Sequence, residues 1–251
     1  MLRILMFKNE YGFQLASFCS TIIPSLFLLS FLHSSFAQDK QTDSIRFHKK
    51  TLFFSAGMGI SWVNAPSFTD YLKEEVPFTN KDSIKSYSVG FEFFGGLEAQ
   101  FSKQFSLKLD YSYFFKTFTY DQFNYAGYTF YYFYLVHRPY LMAYYIIPGK
   151  NYAFKLGGGL GFLYSILHRT DAGATDVTYT STGFGLRGEV IFSAKLSRNM
   201  ESYFSGFVKG DTFTRLKDAN NNSLISPLTG KETNLSSFGI GARLGFSIKL
   251  N

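Results

Sequence analysis

The chain reads as all-β, an eight-stranded antiparallel up-and-down transmembrane β-barrel. Three observations predict it. The C-terminal stretch from Phe238 to Leu250 alternates without a break. Phe238, Ile240, Ala242, Leu244, Phe246, Ile248 and Leu250 are apolar, while Gly239, Gly241, Arg243, Gly245, Ser247 and Lys249 are small or polar. Side chains on a strand point to opposite faces in turn, so this strand has one apolar and one polar face. Its length exceeds the about 5–6 residues usual in soluble sheets and covers the roughly 9–11 that a tilted membrane strand needs. Second, Tyr, Phe and Trp make up 20% of 251 residues, with only 17% charged. Third, the connections between strands alternate between long and short.

The N-terminal segment predicts export. Arg3 and Lys8 precede a mostly apolar run from Thr21 to Phe36, and Ser35-Phe36-Ala37 offers small residues at a cleavage site. Residues 1–37 are expected to be a signal peptide, 38–50 a polar periplasmic lead-in and 51–251 the barrel. Cys19 lies inside the signal, so the mature chain has no thiol for a disulfide or metal site. Loss of Arg3, Lys8 and Glu10 takes the formal charge from +7 to about +6.

The strands follow in order. The first, Leu52 to Val63, puts Phe54, Ala56, Met58, Ile60 and Trp62 on one face. Asn64 to Ser86 is a long connection in which Ser67-x-x-Asp70 marks a capped helix. The second, Tyr87 to Phe101, alternates with one exception, Phe94 on the polar face. After a turn at Ser102-Lys103-Gln104, the third runs from Phe105 to Thr119. The fourth lies within Tyr128 to Ile147. Pro139 cannot donate to the ladder and predicts a bulge or weak pairing, and adjacent His137 and Arg138 leave the phase open.

Pro148-Gly149-Lys150-Asn151 turns into the fifth strand, Tyr152 to His168. Its Gly157-Gly158-Gly159-x-Gly161 run lacks the Lys-Ser/Thr of a phosphate loop and reads as a strand leaving space for large neighbours. The sixth is Thr178 to Leu196 and the seventh Glu201 to Thr214. The loop from Arg215 to Asn234 leads to the last strand. Long loops of roughly 8–23 residues on one side and turns of about 3–4 on the other fit a barrel with outer loops and periplasmic turns.

Charges on the polar face predict a self-neutralising filling of Glu98, Lys108, Arg187, Glu189, Lys209, Asp211 and Arg243. Hairpin geometry places Glu98 opposite Lys108, Arg187 opposite Asp211 and Glu189 opposite Lys209. An eight-strand interior is only wide enough for side chains, so no open solute pore is expected.

The final residues Arg243-Leu244-Gly245-Phe246-Ser247-Ile248-Lys249-Leu250 fit the assembly signal of outer-membrane barrels: polar, any, Gly, two of any kind, apolar, any, apolar. Leu250 and Asn251 replace the usual terminal aromatic. With His137-Arg138-Pro139-Tyr140-Leu141 and Lys155-Leu156-Gly157-Gly158-Gly159-Leu160-Gly161, the mature chain resembles small outer-membrane barrels of the Bacteroidetes type, called PorT-like. It is more loosely similar to the OmpX and OmpA barrels. Val136-His137-Arg138-Pro139 departs from the Leu-Glu-Ile-Pro-like run of that family. The resemblance implies location in the bacterial outer membrane and, among alternatives, a component of a secretion or assembly machine.

The expected role is non-catalytic: a structural part of the envelope, or presentation of outer loops. The expected partners are outer-membrane lipids including lipopolysaccharide, the barrel-assembly machinery during insertion, and a protein bound through loops 64–86 and 215–234. No cofactor, metal or nucleic acid is expected; the basic residues alternate with acids rather than forming a stripe. The enzymatic alternative, lipid A modification, needs a His polarising a Ser. His48 lies in the lead-in. His168 has Ser165 nearby, but an odd offset puts the two on opposite faces.

Overall fold

The computed structural model describes residues 51–75, 89–122, 128–171 and 176–250. The expected signal peptide and lead-in, residues 76–88 of the first long connection, and Asn251 lie outside the described residues.

Eight strands close on themselves. They are β1 (Thr51–Asn64), β2 (Val89–Gln100), β3 (Phe105–Gln122), β4 (Tyr128–Pro148), β5 (Tyr152–Asp171), β6 (Val177–Lys195), β7 (Met200–Phe213) and β8 (Ser237–Lys249). Each pairs antiparallel with the next, and β1 pairs with β8, so no edge remains. Closure satisfies the backbone groups that hydrocarbon cannot. One helix, α1 (Pro66–Glu75), follows β1.

Period-two alternation fixes the faces. On β6, Ser181, Gly183, Gly185, Arg187, Glu189, Ile191 and Ser193 are buried, while Thr182, Phe184, Leu186, Val190 and Phe192 are exposed. The glycine run of β5 answers to bulk on β4. A Cβ on Gly157 would meet the Tyr144 ring, one on Gly159 would lie 2.6 Å from Met142 Sδ, and one on Gly161 would lie 2.7 Å from the Tyr140 ring. The large side chains of β4 thus lie flat over the β5 backbone. Phe94, the apolar residue on a polar face, is 5% exposed and packs inside against Tyr203 at 5.7 Å between ring centroids.

Two local expectations are corrected and one is met in part. Pro139 gives weak pairing and not a bulge: the β4–β5 register is the same at His137↔Tyr164 and Tyr140↔Gly161, with the ladder interrupted only at Arg138 and Pro139. A missing N–H breaks a hydrogen bond without needing an extra residue. Second, the β6–β7 hairpin is shifted by two residues. Arg187 stands opposite Lys209, Glu189 opposite Phe207 and Asp211 opposite Gly185. The Met200 carbonyl accepts from the N–H groups of both Leu196 (2.9 Å) and Ser197 (3.1 Å), so the loop is tighter than one centred on Asn199. Third, Ser67 is not the helix cap. Pro66 occupies the first helical position, where its lost N–H costs nothing, and Ser67 Oγ accepts instead from the N–H of Asn234 (3.2 Å).

Candidate functional site: the filled lumen and its outer cap

The charges of the lumen form one network rather than separate cross-strand pairs. All seven predicted members, Glu98, Lys108, Arg187, Glu189, Lys209, Asp211 and Arg243, are buried inside, each 4% exposed or less. The β2–β3 register sets Glu98 against Lys108. Their side chains nevertheless part: Glu98 takes Lys155 at 2.7 Å, and Lys108 turns to Asp110 at 2.9 Å.

Four members were not in the predicted cluster: Glu92, Asp110, Arg138 and Lys155. Glu92 accepts from Arg243 Nε at 2.6 Å and from Ser61 Oγ at 3.2 Å, and lies 3.6 Å from both Arg138 and Lys209. Asp110 receives Arg187 at 2.5 Å and Arg243 at 3.0 Å. Tyr144 and Ser205 donate to Glu189 at 2.6 and 2.7 Å, and Tyr140 donates to Asp211 at 3.1 Å. Parity already turned Glu92, Asp110 and Lys155 inward; Arg138 needed the phase of β4, which the sequence left open.

Aromatic rings insulate these charges. The Arg187 guanidinium lies 4.5 Å from the Tyr140 ring centroid, Arg138 4.6 Å from Phe114, and Arg243 4.7 Å from Phe94. Cations stacked on ring faces keep an attractive partner where water is excluded. The result is a column of side chains along the axis in which the acids Glu92, Glu98, Asp110, Glu189 and Asp211 are interleaved with one more base than acid.

The end of the barrel with the long connections is covered by α1. Phe68, Tyr71 and Leu72 are buried beneath it with Leu216, Leu224 and Leu235 of the 214–236 segment. Phe68 meets Tyr132 edge-on at 6.4 Å. The last turn of α1 is tied to the wall: Glu75 pairs with Arg169 at 2.7 Å and accepts from the Tyr132 hydroxyl, while Arg169 donates to the Tyr71 hydroxyl at 3.0 Å. Glu74 accepts from the Ser226 hydroxyl and from the Thr229 N–H at 3.3 Å. Burial, then the neighbouring Glu75 carboxylate, pushes the Tyr71 phenol well above its ordinary pKa, so it stays protonated.

Among the described residues, His137 and His168 take outward positions. His137 Nδ1 is 2.6 Å from the Tyr111 hydroxyl, with Tyr113 and Tyr164 around it. His168 lies beside Thr178 Oγ1 at 2.9 Å and stacks on Phe133, whereas Ser165 points inward to Ser181. The two therefore do not form a nucleophile–base pair. Among the described residues no group of three His, Cys, Asp or Glu is placed to hold a metal ion.

Around this polar axis the outside is apolar. Phe184 is 74% exposed and Leu160 67%, with Leu244, Met58 and Leu186 close behind. Such a surface wrapped round a charged interior inverts a water-soluble protein, and a closed barrel is one of the two folds that hydrocarbon permits. This is a closed, membrane-spanning β-barrel. Among the described residues no helix is long and apolar enough to cross a membrane; the strands do so.

No family model matches the chain, and no curated protein matches it. Among solved structures, the barrel is similar to a major outer membrane protein from Thermus thermophilus (15% identity, 81% of this chain and 100% of that one, TM-score 0.48). It is also similar to Ail, the attachment invasion locus protein of Yersinia pestis, in complex with the heparin analogue sucrose octasulfate (10%, 81% and 100%, 0.45). Neisserial surface protein A gives 11%, the same coverages and 0.43.

Proposed function

We propose that this barrel is a non-catalytic, sealed scaffold that holds a stiff cap at the outer surface for contact with a protein partner. The observation that carries this reading is the architecture of 214–236. Its Leu216, Leu224 and Leu235 anchor it over the lumen, while Ile225 (53% exposed) and Leu228 (75% exposed) stand outward on either side of Pro227. Apolar side chains displayed on a pinned loop beyond the bilayer have the character of a contact site. In this reading lipids, including lipopolysaccharide, cover the wall, and the assembly machinery acts only during insertion. The resemblance to PorT-like secretion components belongs here as one form of the same role, with the tip as the docking point.

The test is cross-linking in intact cells from a photoreactive residue at Leu228. A discrete adduct that disappears when Ile225→Ser is added to the protein carrying the photoreactive residue supports the reading. Absence of any adduct, or one unaffected by the variant, removes it. Unitary conductance from purified protein in planar bilayers would contradict the sealed interior.

A further inference from the structure

The end of the barrel with the short turns is cationic. Turn 101–104 carries Lys103, turn 149–151 carries Lys150, and turn 197–199 carries Arg198; Lys195 and Lys249 end β6 and β8. All five are exposed, and none is engaged in an ion pair among the described residues. The acid at this rim, among the described residues, is Glu201. The opposite end is mixed: Arg169 is bound to Glu75 and Arg215 to Glu232, and Lys73, Lys217 and Lys231 stand among Asp70, Glu74, Asp176 and Asp218.

The wall just above the turns fixes their depth. Phe101, Phe105, Tyr145, Tyr152, Phe154 and Phe192 are exposed there, between 38% and 52%. Phe154 and Phe192 touch across β5 and β6 at 5.0 Å between ring centroids. Aromatic girdles of membrane barrels sit at the headgroup boundary, so the turn cations lie among the headgroups of the inner leaflet. A concavity of about 250 Å³ at this mouth is lined by Lys103, Lys195, Arg198 and Lys249, but Lys150 stands outside it. Cations on three separate turns, spread round the circumference, suit a ring of lipid phosphates better than one small ligand.

We propose that this rim selectively holds anionic phospholipids of the inner leaflet. The inference is independent of any partner at the outer tip. Each basic residue near an anionic membrane surface multiplies affinity about fivefold, within a Debye length. The test uses the full barrel, refolded and exchanged into detergent with equal amounts of phosphatidylglycerol and phosphatidylethanolamine of the same acyl chains. Native mass spectrometry then counts the lipids retained.

The wild type is expected to retain phosphatidylglycerol several-fold over phosphatidylethanolamine. A Lys103→Gln/Lys150→Gln/Arg198→Gln variant should lose that preference while keeping its heat-modifiable gel mobility. A Lys73→Gln/Lys217→Gln/Lys231→Gln variant at the other end should keep it. Equal retention by the wild type, or a preference unmoved by the rim variant, overturns the proposal. So does displacement by millimolar glycerol phosphate, which would mark the mouth as a site for free anions rather than lipid.

Discussion

Arg243 on β8 and Asp110 on β3 belong to strands three steps apart round the wall, yet Arg243 Nη1 lies 3.0 Å from Asp110 Oδ2. This contact crosses the lumen instead of running along a hairpin. Asp110 also holds Arg187 and Lys108, so one carboxylate gathers three bases from β3, β6 and β8. Removing it leaves buried cations short of a counter-charge. Asp110→Ala is expected to cost about 3–5 kcal/mol, read as a lower urea midpoint in the heat-modifiable gel assay. Replacing Asp110, Arg187 and Arg243 together with apolar residues of similar volume should recover most of that loss.

The glycines of the two faces should respond oppositely. A Cβ on Gly90 would strike the Phe114 ring inside, whereas Gly206 and Gly210 have nothing within 4 Å outside. Gly90→Ala should destabilise by about 1–3 kcal/mol through overpacking. Gly206→Ala should be neutral or stabilising by about 0.4–1 kcal/mol, through the unfolded chain. The same unfolding assay distinguishes them.

The cap should loosen before the barrel. Arg169→Ala removes the partner of Glu75 and Tyr71 and is expected to raise protease nicking within α1 with the barrel's gel mobility unchanged. Alkali should act similarly. The Tyr71 pKa is raised by folding, so its contribution is complete below the ordinary phenol value of about 10 and is lost as pH rises through and beyond it. Nicking of α1 should rise above pH of about 10, and Tyr71→Phe should flatten that dependence.

The β6–β7 register can be checked covalently, because Cys19 is the only cysteine of the chain. Phe192 and Phe204 face each other directly across the two strands. Copper-promoted oxidation should cross-link a Phe192→Cys/Phe204→Cys pair. A Phe192→Cys/Gly206→Cys pair, which the wider loop would favour, should cross-link poorly.

The strand pattern is legible because period two is a strong signal when one side faces lipid and the other a crowded lumen: β1, β3 and β5 to β8 begin within one residue of expectation, and Phe94 stands out as the exception on its face. What escaped depended on contacts between elements. Arg187 and Lys209 share a register position only because the loop at 197–199 is tight, and their charges are resolved by Asp110 and Glu92 on strands elsewhere in the wall. Arg138 was hidden by Pro139, which suggested a bulge that would have reset the phase. Ser67 looked like a cap because local spacing says nothing of Asn234, its actual partner 167 residues away.

The exposed Leu and Phe rows meet lipid while the buried charged rows face the axis. This arrangement is tested most directly with single bimane labels at Leu160→Cys and Ser112→Cys in vesicles containing lipids brominated on their acyl chains. The label at position 160 should be quenched strongly and be shielded from a water-soluble quencher, and position 112 should resist labelling until the barrel is unfolded. Free aqueous quenching at position 160 together with ready labelling of folded protein at position 112 would contradict it.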